Sequence, residues 1–156
     1  MPTLYILCGI SGSGKTTWAR ENLVKGNIKY VSRDEIRFSM LKEGEDYFAH
    51  EKEVFKKFVS TVADALMNKH DTIADATHIN EFSRRKFIQA LDAYIDKYKI
   101  IYVVFNTDVS VCLERNKMRE GRSCVPDSVI KNMCHDFKTP TYEEDERIWN
   151  IIHVKE

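Results

Sequence analysis

The chain has 156 residues, 43% apolar and 31% charged, which suits one soluble domain with a buried core and excludes a disordered or membrane-embedded polypeptide. Lys plus Arg and Asp plus Glu each number 24, so the formal net charge is zero; tight binding to long duplexes is not expected, while a local basic groove stays open. The four cysteines (Cys8, Cys112, Cys124 and Cys134) show no CxxC or metal-site spacing, and there is no secretory leader, repeat or membrane-spanning run, so reduced thiols and a cytoplasmic location are expected.

Met1 to Gly9 reads as a first strand. Its centre, Leu4-Tyr5-Ile6-Leu7-Cys8, is apolar on both faces, which predicts a buried, central, parallel position with Cys8 as a small core residue. Gly9-Ile10-Ser11-Gly12-Ser13-Gly14-Lys15-Thr16-Thr17 follows, in the form Gly-x4-Gly-Lys-Thr of a phosphate-binding loop. A helix runs on from it to about Val24. In this strand–loop–helix context the backbone N–H groups from Gly9 through Ser11, Gly12, Ser13 and Gly14 to Thr17, with the positive end of the helix, converge on phosphate oxygens. Lys15 is expected at the terminal phosphates of ATP and Thr16 at Mg²⁺ through its hydroxyl. A plain glycine turn would explain the glycines but not Lys15-Thr16 directly behind them.

Ile28 to Ser32 is a short strand, and Ser32-Arg33-Asp34-Glu35-Ile36-Arg37 opens a helix with Ser32 as cap and Glu35 as its capping-box partner. Asp34 then lies at the carboxyl edge of the sheet and shares a helix face with Arg37. The pair reads either as a general base beside a cation that holds an anionic acceptor, or as a dipole-favouring Asp and a surface ion pair. A long helix is predicted from Tyr47 to about Asn68, with His50 and His70 on the surface. Asp71 to Thr77 reads as a buried strand; Asp75 at its end is a candidate for the Mg²⁺ shell, or else a strand-end cap. A helix from Asn80 to about Tyr98 carries Arg84, Arg85 and Lys86, which read as an exposed basic cluster.

Lys99 to Asn106 is the strongest strand signal, and Asp108 caps a helix from Val109 to about Met118. Arg115, Arg119 and Arg122 fall on one stripe if that helix continues; taken alone they read as a solvated face paired with Glu114 and Glu120. A helix from about Asp127 to Phe137, an acidic loop and a last strand from Ile148 to Val154, at an edge, complete the chain. Repeated βα order with about five strands predicts a single α/β domain over residues 1–156: a three-layer P-loop fold with a mainly parallel sheet, helices on both faces and right-handed crossovers.

Four segments appear in order: Gly-Ile-Ser-Gly-Ser-Gly-Lys-Thr-Thr-Trp-Ala-Arg, Ser-Arg-Asp-Glu-Ile-Arg, Asp-Ala-Thr-His-Ile-Asn and Arg-Asn-Lys-Met-Arg-Glu-Gly-Arg-Ser-Cys-Val-Pro. On these the chain resembles the kinase domain of bacteriophage-type polynucleotide 5′-hydroxyl kinase, among the P-loop kinases of adenylate-kinase-like fold. The resemblance implies transfer of the γ-phosphoryl group of ATP, with Mg²⁺, to the 5′-hydroxyl of a single-stranded nucleic acid end. It implies Lys15 and Thr16 on the donor phosphates and Mg²⁺, Asp34 as base, and Arg37 on the phosphate next to the accepting nucleoside. Arg119, flanked by Arg115 and Arg122, becomes a lid arginine within a helical lid at about 115–137, which replaces the solvated-face reading. His78 stands where the family often has Asn, and the stretch from Arg115 to Pro126 is one residue longer. The chain leaves no room for the family's phosphatase domain, so 3′ end-healing is not expected. A kinase of a small metabolite or nucleoside, and a nucleotide-binding ATPase or switch, are the alternative readings. No membrane partner is expected, and homo-oligomerisation is left open.

Overall fold

β1 (Thr3–Cys8) is the central strand of a five-stranded sheet of order β2-β3-β1-β4-β5, in which every neighbouring pair is parallel. The computed structural model describes residues 1–23, 25–121 and 124–155. The other strands are β2 (Lys29–Ser32), β3 (Thr72–Asp75), β4 (Lys99–Phe105) and β5 (Ile148–Val154). The helices are α1 (Lys15–Asn22), α2 (Arg33–Met40), α3 (Glu51–Met67), α4 (Glu81–Asp92), α5 (Val109–Lys117) and α6 (Asp127–Asp136). The α/β expectation holds, with β1 central, β5 at an edge and the sheet wholly parallel.

Both faces of β1 are covered, as its unbroken apolar run requires. Leu4, Ile6 and Cys8 pack with Phe58, Val62 and Leu66 of α3 and Phe87 and Leu91 of α4. On the opposite face Leu7, Ile73, Val103 and Phe105 pack with Ala19 and Trp18 of α1. A third cluster joins Ile10 of the glycine loop to Cys112, Val125 and Ile130, and so seats α5 and α6 beside the loop.

The register decides where the chemistry lies. Leu7 pairs with Asp75, and Asp75 pairs with Ser32, so three strands end level with one another. The glycine loop, the carboxylate of Asp75 and the start of α2 are thereby brought to one edge, where open α/β sheets place their ligands.

Several boundaries differ from expectation for identifiable reasons. α3 begins at Glu51, because Tyr47 to His50 form a turn. α4 ends at Asp92, whose carboxylate accepts from the hydroxyl of the fully buried Tyr98 at 3.0 Å. α5, by contrast, ends where expected, at Lys117 with Met118 as its C-cap, so Arg119 lies beyond the helix that carries Arg115. Arg122 lies outside the described residues. The basic run on α4 is not an exposed cluster: Arg85 and Lys86 are exposed, but Arg84 is only 1% exposed. Arg84 donates to both carboxylate oxygens of Glu144 and to the carbonyls of His78 and Lys138, partners contributed by the loop just before α4 and by a segment more than 50 residues further on.

Candidate active site

Two glycines let the loop close on itself. Gly12 and Gly14 have φ of 83° and 87°, a conformation that a side chain disfavours. A Cβ on Gly12 would lie 2.7 Å from the carbonyl oxygen of Cys112. Further bonds hold the loop from outside: the Gly9 N–H donates to the carbonyl of Thr77 at 2.9 Å, and the Thr107 hydroxyl donates to the carbonyl of Ser13 at 2.8 Å. Ser11 and Ser13 are buried within it, and α1 starts at Lys15.

Directly behind the loop, Thr16 Oγ1 donates to Asp75 Oδ2 at 2.7 Å. The Tyr30 hydroxyl from β2 donates to the same oxygen. Burial, with the neighbouring Asp75 carboxylate, pushes the Tyr30 hydroxyl pKa up, so Tyr30 stays a proton donor. A hydroxyl and a carboxylate at this spacing are hard oxygen donors of the kind Mg²⁺ takes, usually with water and phosphate oxygens completing its shell. Among the described residues no group of three or more His, Cys, Asp or Glu could hold a metal by itself.

The first turn of α2 supplies the facing wall. Ser32 accepts from the Glu35 N–H at 3.2 Å, as a cap should, but the Glu35 side chain pairs with Arg20 rather than closing the box. Asp34 and Arg37 meet as their spacing predicts. Arg37 is 6% exposed, so it is not part of a surface ion pair. Its Nε and Nη2 donate to Glu51 at 2.8 and 2.6 Å, and its Nη1 donates to Asp34 Oδ1 and to the Tyr47 hydroxyl. Tyr47 in turn donates to Asp34 Oδ1 at 2.8 Å. Burial opposes the Arg37 charge, but the Glu51 hydrogen bonds and the other anionic neighbours outweigh it and hold its pKa above the usual value.

Lys15, Thr16, Asp34, Arg37 and Asp75 thus line one cleft, with Ser11 on its wall. Arg115 and Arg119 do not line it; they border an adjoining hollow with Gly12, Gly14, Thr17, Trp18 and Phe105. There Arg115 Nη1 donates to the Gly12 carbonyl at 3.1 Å, and Trp18 meets Phe105 edge to face. Glu51, Tyr47, Tyr30 and Met133 line or support the cleft without any short-range sequence signal; Glu51 is 14 residues from Arg37 and Met133 is 122 from Ser11, whose hydroxyl it faces at 3.6 Å.

Residues 4–140 match the family model described as AAA domain. A comparison with curated proteins gives no match. A chain of the Pnkp1/Rnl/Hen1 RNA repair complex is 26% identical, with a TM-score of 0.70 over 86% of this chain and 43% of that one. This chain therefore spans less than half the length of that relative. A sugar kinase from Janibacter sp. HTCC2649 (16% identity, TM-score 0.68, 99% of this chain and 85% of that one) shares the fold. So does Chaetomium thermophilum Kti12, solved in complex with ADP-AlF3 (15% identity, TM-score 0.67, 97% of this chain and 88% of that one). The chain belongs to the AAA domain family and has a P-loop kinase-like fold, which implies binding of ATP.

Proposed function

We propose that the protein transfers the γ-phosphoryl group of ATP to the 5′-hydroxyl end of a polynucleotide. The observation that carries this reading is one cleft holding both halves of the reaction: Lys15, Thr16 and Asp75 on the donor side, and Asp34, clamped by Arg37 and Tyr47, on the acceptor side. The likeness to a chain of an RNA repair complex supports a nucleic acid acceptor.

Phosphoryl transfer asks little covalent chemistry of a protein; positioning and charge stabilisation do most of the work. Gly9 to Thr17 cradle the donor phosphates and Lys15 reaches the transferring group. Thr16 and Asp75 are the residues that would hold Mg²⁺. Bound with ATP, Mg²⁺ neutralises charge on the phosphate oxygens. Asp34 takes the proton of the attacking hydroxyl; with Arg37 and Tyr47 both on Oδ1, its other oxygen carries neither donor. The hydroxyl oxygen bonds to the γ-phosphorus, the bond from phosphorus to the bridging oxygen breaks, and ADP leaves. Arg119, from the adjoining hollow, is the lid arginine of this reading, and Arg115 braces the loop through Gly12.

The test is transfer of labelled γ-phosphate to a short single-stranded oligonucleotide with a 5′-hydroxyl, against the same oligonucleotide with a 5′-phosphate. Label on the hydroxyl end alone, lost by about 10²–10⁴-fold in Asp34→Asn while ATP affinity persists, is the expected result. No transfer to any oligonucleotide by protein that binds ATP would overturn the polynucleotide reading and favour a small-molecule acceptor.

A further inference from the structure

On the side of α3 and α4 the cleft gives way to a strip of aromatic and basic side chains. Glu51, at the start of α3, lines the cleft, and Phe55 lies one turn further along the same helix. Two cations from different elements pack against the Phe55 ring: Arg33 of the cleft wall, 5.4 Å from its centroid, and Lys86 of α4, 5.0 Å from it. Lys86 shares a helix face with Phe82, one turn before it. Phe82 stands in the first turn of α4, just after the cleft-lining Ala76 and Thr77, and is 76% exposed. Phe55, Lys86 and Phe82 thus lead from the edge of the cleft out to solvent.

The two outer side chains serve the fold little. Phe82 belongs to none of the three apolar clusters. Among the described residues Lys86 has no carboxylate partner; its contact is the Phe55 ring, which steadies the side chain and leaves its N–H donors to an anion. The neighbouring acids are engaged elsewhere. Glu81, the acid in the first turn of α4, pairs with Arg85 at 2.7 Å, and Glu51 is held by Arg37 through both oxygens. Lys52, exposed and three residues before Phe55, adds positive charge on the same side of α3. An open aromatic face beside an unpaired cation complements a nucleobase and the phosphate attached to it. An apolar protein surface docked here would bury the Lys86 charge without a partner, which is unfavourable.

We propose that Phe55, Lys86 and Phe82 form a track, outside the cleft, for the single-stranded continuation of the acceptor. A base stacks on Phe82 and a backbone phosphate pairs with Lys86. The inference rests on the polynucleotide reading and deepens it: acceptors long enough to leave the cleft and cross the strip are preferred over shorter ones. The track touches no reacting atom, so it acts on acceptor affinity and not on the transfer step.

The experiment compares wild type, Phe82→Ala, Lys86→Gln and Lys86→Arg. The acceptors are a dinucleotide and a single strand of about eight nucleotides, both with a 5′-hydroxyl. Affinity is read from the fluorescence anisotropy of the longer strand labelled at its 3′ end, and from its displacement by the dinucleotide. Wild type is expected to bind the longer strand more tightly. Phe82→Ala and Lys86→Gln should each weaken it by about tenfold and raise its KM by a similar factor. The kcat, the KM of ATP and the constants of the dinucleotide should stay nearly unchanged. Lys86→Gln should also reduce the slope of log affinity against log salt by about 0.7, whereas Phe82→Ala leaves that slope intact and Lys86→Arg restores it. Equal affinity of wild type for the two lengths would overturn the inference, as would losses equal for both lengths or a longer strand bound equally well by all variants. Unchanged oligonucleotide affinity in Phe82→Ala, together with loss of a wild-type dimer in sedimentation, would overturn it in favour of a second copy on this face. Length-dependent binding that the variants weaken, without transfer of phosphate to any 5′-hydroxyl by wild type, would uphold the track and overturn the kinase reading.

Discussion

Thr16 Oγ1 and Asp75 Oδ2 lie 2.7 Å apart, and Tyr30 donates to the same carboxylate oxygen. Asp75 is 4% exposed, so its charge is oriented by these two hydroxyls rather than by water. Asp75→Asn keeps the shape but removes the charge. We expect it to abolish most of the gain in ATP affinity that Mg²⁺ brings, about 10–100-fold, while affinity measured in EDTA stays close to wild type. Tyr30→Phe removes one orienting donor and should produce a smaller loss in the same direction. Titration of each variant with ATP, followed by Trp18 fluorescence with and without Mg²⁺, checks both.

Gly12 is the second place where a single atom decides the outcome. A methyl group there meets the Cys112 carbonyl at 2.7 Å, in a backbone with φ of 83° that alanine resists. Gly12→Ala should cost about 1–3 kcal/mol of stability and sharply weaken ATP, because the loop must shift away from α5 to admit the methyl. Gly26 also has positive φ, at 61°, but no atom lies within 4 Å of a Cβ placed there. Gly26→Ala is therefore the control: a modest loss in urea unfolding and unchanged ATP affinity.

Much of this site is legible in sequence because its parts are local. The loop, Ser32 as a cap and Asp34 three residues before Arg37 are short-range patterns, and strand-ending carboxylates such as Asp75 follow from the parallel sheet. What escaped the sequence is long-range. Whether Arg37 meets solvent or Glu51 depends on how α2 packs against α3. Arg84 shows the same limit: in a run with Arg85 and Lys86 it looks like surface charge, and only the return of the chain 60 residues later brings Glu144 to it. Arg119 shares a helical stripe with Arg115 only if the helix runs past Met118; α5 stops at Lys117, close to the expected end, and leaves Arg119 outside it.

The Arg84–Glu144 pair is a structural counterpart to the site. Its side chains are 1% and 9% exposed, and Arg84 also satisfies two loop carbonyls. Removing one member of a buried pair strands the other charge. Arg84→Met should therefore lower stability by about 3–5 kcal/mol, seen as a shift in the urea midpoint. Glu144→Gln, which retains an oxygen acceptor, should cost less. A shift under about 1 kcal/mol for Arg84→Met would show that the two loops are held by other contacts.

His78 links stability to pH. The ring is buried between Phe58 and Phe87, and its Nδ1 lies 2.7 Å from the Leu7 carbonyl near the end of β1. Its Nε2 has no partner among the described residues. Burial, aided by the charges of Arg33, Arg84 and Lys15 and opposed by the Leu7 hydrogen bond, lowers its pKa from 6.5 to about 3. The folded state thus keeps the ring neutral where the unfolded chain takes up a proton. Above about pH 6.5 the two states bind the same number of protons at this site, and His78 adds no pH dependence. As pH falls below that, the unfolded state gains, and stability drops by up to about 1.4 kcal/mol per pH unit until about pH 3. His78→Asn removes the titration, and Asn tolerates the positive φ of 43° at this position. Urea unfolding from pH 7.5 down to about pH 5 should show the wild type losing stability faster than His78→Asn, so the gap between them narrows as the solution is acidified. Parallel losses in the two proteins would mean that His78 is protonated in the folded state as readily as in the unfolded one.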